Sequence, residues 1–127
     1  MMKTFMAGLL VSTLAFGAFE AVAATTEPAA MADTVKGKIL VDTKGMALYS
    51  FDKDAAGKSN CNGKCAVEWP PLKAAADSKA SGDWTVVARD DGSKMWAYKG
   101  QPLYTFVDDK KAGDVTGDNV DGFHIVM

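Results

Sequence analysis

The hydrophobic positions of this chain fall in short runs separated by turns rich in Gly, Asp and Asn, a pattern of strands rather than helices. Lys38-Ile39-Leu40-Val41 is one such run, bounded by Gly37 and by Asp42-Thr43-Lys44-Gly45, and Met46 to Phe51 is the next. Two runs joined by a Gly-bearing turn predict a β-hairpin. Side chains alternate along the second run, so Tyr49 and Phe51 project to one face and Leu48 and Ser50 to the other. Further on, Trp84 to Arg89 is rich in β-branched residues, Asp90-Asp91-Gly92 is a turn signal, and Lys94 to Tyr98 alternates polar and apolar. These predict a second hairpin, extended through Lys99-Gly100-Gln101 into Pro102 to Phe106 as a three-strand meander. Phe123 to Val126 is the last predicted strand.

Between the strands lie segments without periodicity. Asp52 to Gly63 has no apolar residue larger than Ala or Cys and reads as a surface loop. Cys61 to Trp69 predicts a turn of α- or 3₁₀-helix, stopped by Pro70 and Pro71, with Trp69 closing one end of the core. Lys73 to Ser81 is Ala-rich and adds at most a weak helical turn. Ala24 to Thr34 is rich in Ala, Thr and Pro and reads as a flexible leader, so the fold is expected to begin near Val35.

The organising feature is a duplication. Gly45-Met46-Ala47-Leu48-Tyr49-Ser50-Phe51-Asp52-Lys53-Asp54 recurs about 55 residues later as Gly100-Gln101-Pro102-Leu103-Tyr104-Thr105-Phe106-Val107-Asp108-Asp109. Lys precedes Gly in both copies, and Tyr49, Phe51 and Asp54 match Tyr104, Phe106 and Asp109. One structural unit is therefore used twice. Neither half can bury a core alone. The expected fold is mainly β: a small single domain over residues 35–127, in which two related hairpin or meander repeats, about 38–72 and 84–127, pack face to face, with short helical turns in the Cys/Trp-Pro-Pro segment.

Composition changes this picture little. Hydrophobic residues make up 48% and charged residues 24%, with a formal net charge of −2, and no Lys/Arg stripe is present to neutralise phosphates. Nucleic acid is therefore not an expected partner. The N-terminus does change it. Lys3, the apolar run Phe5 to Phe19 and the small-x-small triplet Ala21-Val22-Ala23 read as a signal peptide over residues 1–23, cut near Ala23. The mature protein is then expected in the periplasm or outside the cell, without a transmembrane helix.

Candidate chemistry is sparse. The Tyr-x-Phe pairs read as core aromatics, or else as a ligand platform. Asp54 and Asp109 stand where strands end and are expected to accept hydrogen bonds from loop amides. No acid/base or nucleophilic partner for them is visible, so no enzyme activity is expected. Cys61 and Cys65, the only cysteines, flank Asn62-Gly63 and predict a disulfide in an oxidising compartment, worth on the order of 2 kcal/mol. A Cys-x-x-x-Cys pair with a distant His also resembles the ligand set of Sco-type copper chaperones; Cys61, Cys65 and His124 are the alternative copper ligands, although the βαβ order such a site sits on is not visible. The acidic loop Asp108 to Gly122 misses the EF-hand spacing and reads as solvated rather than calcium-binding.

Several motifs together resemble a known family: the two Tyr-x-Phe-x-x-Asp copies, Ser59-Asn60-Cys61, Cys65-Ala66, Trp69-Pro70-Pro71-Leu72, Arg89-x-Asp91-Gly92 and Tyr98-Lys99-Gly100-x-Pro102-Leu103-Tyr104. The chain is similar, from about Ile39 to Val126, to the bacterial secreted-repeat family, predicted lipoproteins with a Y-x-(F/W/Y)-x-x-D motif. It departs from the family by lacking the lipobox Cys and by having Phe123 where Trp is usual before His124. The resemblance implies an exported, duplicated protein without an assigned activity. The leading expectation is a non-catalytic binding or envelope-interaction domain with an unknown partner or small ligand and no cofactor. A copper-handling or thiol-redox protein is the alternative.

Overall fold

A computed structural model describes residues 27–127, so the predicted signal peptide and its cleavage site lie outside the described residues. Eight strands and one short helix follow in the order β1 (Ala29–Thr34), β2 (Gly37–Asp42), β3 (Tyr49–Phe51), α1 (Lys64–Glu68), β4 (Lys73–Ala74), β5 (Trp84–Ala88), β6 (Lys94–Tyr98), β7 (Gln101–Pro102) and β8 (Phe123–Ile125). The fold is mainly β, as the short apolar runs predict. Among the described residues no helix is long and apolar enough to cross a membrane.

Two hairpins form the frame. β5 and β6 pair in antiparallel register from Trp84↔Tyr98 to Ala88↔Lys94, around the predicted Asp-Asp-Gly turn. The other hairpin differs from expectation. β2 pairs with β1, from Ala29↔Asp42 to Thr34↔Gly37, so most of the segment read as a flexible leader is a strand. Its mostly small side chains carry no hydrophobic period, yet its backbone supplies a full ladder and Ala29 is buried. The expected pairing of β2 with the Met46–Phe51 run shrinks to the single bridge Val41↔Ala47. Likewise Lys73 and Ala74 extend the β6 sheet as β4 instead of forming a helical turn.

The two repeats do not stack as separate halves; each completes the other. β3 of the first repeat pairs with β8 at the end of the second, Ser50 opposite His124 and Phe51 opposite Phe123. In the mirror position, the second-repeat segment Thr105 to Val107 donates to Pro70 O (2.8 Å) and Glu68 O (3.0 Å) of the first. Pro70 has no N–H to return, which is why the predicted strand Pro102 to Phe106 is regular only at β7. Tyr49 and Tyr104 exchange both backbone bonds, N to O at 2.8 and 2.9 Å, where the copies meet. On either side stands the same three-membered backbone ring. Leu40, Leu48 and Val126 donate around one at 2.8–3.2 Å, and Trp96, Leu103 and Leu72 around the other at 2.9–3.1 Å.

Aromatic rings fill the junction. Phe51, Phe123, Trp69 and Phe106 form one continuous stack with successive centroid separations of 4.2, 3.8 and 4.1 Å. Tyr49 meets Trp69 edge-on at 5.2 Å, and Tyr104 meets Phe123 edge-on at 5.3 Å, in the geometry that aromatic quadrupoles favour. Trp69 therefore lies at the centre of the core, not at one end, with 1% of its surface exposed. Gly117 is glycine because of this stack: a Cβ there would come within 2.6 Å of Trp69 and 2.8 Å of Phe106. Gly117→Ala should destabilise the fold by about 1–3 kcal/mol through overpacking, read as a lower urea midpoint. An unchanged midpoint would mean that the stack yields to a methyl group.

Candidate functional site

The six repeat-motif side chains converge on the junction, and their hydrogen bonds cross between repeats. Tyr49 Oη donates to Asp109 Oδ2 at 2.7 Å, and Tyr104 Oη donates to Asp54 Oδ2 at 2.7 Å. Each tyrosine serves the aspartate of the other copy. The aspartates also accept from their own loops: Asn60 N reaches Asp54 Oδ1 at 2.6 Å, while Thr116 N and Oγ1 reach Asp109 Oδ1 at 2.8 and 2.6 Å. Each Asp thus joins the loop of its own repeat to a tyrosine of the opposite one.

The two halves differ in what backs the tyrosine. Gly117 N donates to Tyr49 Oη at 3.1 Å. Tyr104 Oη instead meets Ser59 Oγ at 2.6 Å, and Arg89 Nη1 donates to Ser59 Oγ at 3.1 Å. A relay of donors therefore runs from the buried Arg89 guanidinium through Ser59 and Tyr104 to the Asp54 carboxylate. Arg89 Nη2 also holds Cys61 O at 2.7 Å, tying the cysteine loop to the end of β5. Arg89 and Ser59 stood in the family-like motifs, but nothing in their spacing announced a buried network.

Burial pushes both tyrosine hydroxyls above the usual phenol range, and the aspartate each one faces acts in the same direction. Both hydroxyls serve as donors to those carboxylates. Burial also raises the Asp54 carboxyl, opposed by the bonds from Tyr104 and Asn60 and by the charge of Arg89.

Cys61 and Cys65 form a disulfide, with Cα atoms 5.2 Å apart, across the entry to α1. Both sulfurs of the alternative copper set are thereby consumed. His124 is engaged elsewhere, Nε2 with Asp52 Oδ2 and Nδ1 with Asn119 Oδ1, each at 2.8 Å. Among the described residues no group of three His, Cys, Asp or Glu side chains is arranged to hold a metal ion, in the acidic loop or beside the disulfide. Within that loop Asp114 accepts from Lys110 N and Lys111 N, and Asp118 accepts from Ile125 N. These carboxylates close turns and brace β8.

One cleft opens beside this network. It has a volume of ≈ 320 Å³ and lies between the loop after β3 and the β6–β7 turn, lined by Ser50, Phe51, Asp52 and Asp54 from the first repeat and by Lys99 and Gln101 from the second. Gly57 N donating to Gly100 O at 3.0 Å ties its two walls together. Of the lining, Phe51 and Asp54 belong to the Tyr-x-Phe-x-x-Asp motif, and Lys99, Gly100 and Pro102 to the Tyr98–Tyr104 motif. Lys99 was visible as the Lys before Gly in both copies, a turn signal that carried no hint of a cleft.

A mainly β domain whose duplicated motif is completed only across its two copies is an internal-repeat protein that folds as one body. The family described as a secreted repeat of unknown function matches it twice, over residues 30–73 and 85–126, and the chain belongs to that family. Comparison with curated proteins and with solved structures gave no match.

Proposed function

We propose that this secreted-repeat protein is a non-catalytic binding domain, acting in the periplasm or outside the cell, and that it takes a small polar ligand in the cleft between β3 and the β6–β7 turn. The observation that carries this reading is that both repeats build the cleft and that its walls are fixed before any ligand arrives. Asp54 is held by Tyr104 and Asn60, Asp52 by His124, and the two walls by the Gly57–Gly100 bond. A volume of ≈ 320 Å³ is at the small end of the range for small-molecule sites, and pre-formed walls lower the entropic cost of binding. The motif tyrosines, kept protonated by burial, and the motif aspartates, committed to loop amides and tyrosines, support a scaffold rather than a proton-transfer role.

Titration of ¹⁵N-labelled protein with a panel of free amino acids, short peptides, monosaccharides, polyamines and dicarboxylates tests the reading. At least one class should shift the amides of Ser50 to Ala56 together with those of Lys99 to Gln101. Shifts confined to other surfaces, or none from any class, would sink it.

A further inference from the structure

We propose that the ligand of this cleft is a small zwitterion carrying both an ammonium and a carboxylate, of the size of a free amino acid or dipeptide. The inference rests on the binding-domain reading and adds to it the chemistry of the ligand.

The residues that line the cleft include side chains of both charge signs. Asp52 and Asp54 stand on the first-repeat wall and Lys99 on the second-repeat wall. Lys99 has no carboxylate partner among the described residues, and its ammonium rests 5.3 Å from the centre of the Tyr98 ring. The aromatic face attracts the ammonium weakly and supplies no opposite full charge. On the facing wall, His124 fixes the Asp52 carboxylate through Oδ2, and Oδ1 has no partner among the described residues. An ammonium can approach that oxygen without displacing an existing bond.

Backbone conformation points the same way. Tyr98 and Gln101 are paired, and the two residues between them, Lys99 and Gly100, have φ of 52° and 84°. This is the two-residue hairpin turn in which both positions are left-handed and Asn, Asp or Gly is favoured first. A lysine there is held in a conformation that L side chains with a long stem adopt reluctantly. The site keeps the amine despite that cost, which is the direction in which strain and function are linked.

The duplication supplies an internal control. Gly45, the counterpart of Gly100, is packed so closely that a Cβ there would lie 2.9 Å from Ala112, whereas a Cβ on Gly100 would lie 3.8 Å from Ala56. The second-repeat loop is thus drawn in against the first-repeat turn, while the first-repeat loop stands off from the second-repeat turn. Lys44, the counterpart of Lys99, is not left-handed. The two copies differ at this place, and the wider copy is where the strained lysine sits.

The experiment uses L-alanyl-L-alanine, its N-acetyl derivative and its C-terminal amide as probes of the full mature protein, followed by the amide signals of Ser50 to Ala56 and Lys99 to Gln101. The free dipeptide should bind at least about tenfold more tightly than either blocked form, since each lacks one charge that the cleft pairs. Lys99→Asn suits the left-handed turn better than lysine, so the fold is retained, and it should bind the free dipeptide no better than wild type binds the C-terminal amide. Equal affinities for the three probes, or an unchanged dipeptide affinity in Lys99→Asn, would overturn the inference. If a sugar, polyamine or dicarboxylate moves these amides and the dipeptide does not, the zwitterion is wrong and the binding domain stands. If nothing in the wider panel moves them, both readings fail.

Discussion

Trp69→Ala is expected to cost about 3–5 kcal/mol, the range for truncating a large aromatic in a core, and so to consume a large share of the stability of a domain of this size. The indole is the middle of the four-ring stack, touching Phe123 on one face and Phe106 on the other, and it meets Tyr49 edge-on. Removing it unstacks both repeats at once. The position is matched across the pseudo-two-fold by Phe123, which shows what a smaller ring does in the same setting. Trp69→Phe should therefore cost much less, below about 1.5 kcal/mol, because the stack is kept and the indole N–H has no hydrogen-bond partner among the described residues to lose. Urea denaturation of the two variants beside wild type separates these cases. A small loss in Trp69→Ala would mean that the repeats are held together by their backbone bridges and not by the stack.

How much of this was legible in the sequence depends on whether a feature is local. The duplication was fully legible, because Tyr49-x-Phe51-x-x-Asp54 and its copy are written out twice. The β5–β6 hairpin was legible too, since a β-branched run, an Asp-Asp-Gly turn and an alternating run are contiguous signals. β1 was not: Ala29 to Thr34 has Met31 as its one large apolar residue, and that side chain is exposed, so its place in the sheet is given by backbone pairing that composition does not encode. The exchange of partners between repeats was equally hidden. Within one copy the spacing of Tyr49 and Asp54 is the same whether they serve each other or their counterparts. Only the three-dimensional crossing of β3 with β8, and of Thr105 with Pro70, decides it. The cleft escaped for a related reason, since it is built from two turns that are distant in sequence and each unremarkable alone.

That hidden exchange gives the second large effect. Asp109 is 5% exposed and accepts three hydrogen bonds, from Tyr49 Oη and from Thr116 N and Oγ1. Asp109→Ala should cost about 3 kcal/mol or more, because it strands donors in a place water does not readily reach. Asp54 is only half-buried, so Asp54→Ala should cost less, with solvent replacing part of what is lost. The sharper test is in the couplings. In double-mutant cycles, Tyr49→Phe with Asp109→Asn should show a coupling of about 1.5–3 kcal/mol, the scale of a hydrogen bond to a charged group. Tyr104→Phe with Asp54→Asn should couple in the same sense. The within-repeat combination of Tyr49→Phe with Asp54→Asn should instead be additive to within about 0.5 kcal/mol. The pH dependence carries a sign. Burial holds the Asp54 carboxyl above its unfolded value, so the stability it contributes is complete below the unfolded pKa and is lost as pH rises through the folded one. Asp54→Asn should therefore remove a decline in stability above the ordinary carboxylate range. Strong coupling of Tyr49 to Asp54, or none to Asp109, would show that each repeat closes its own network and that the two copies do not complete one another.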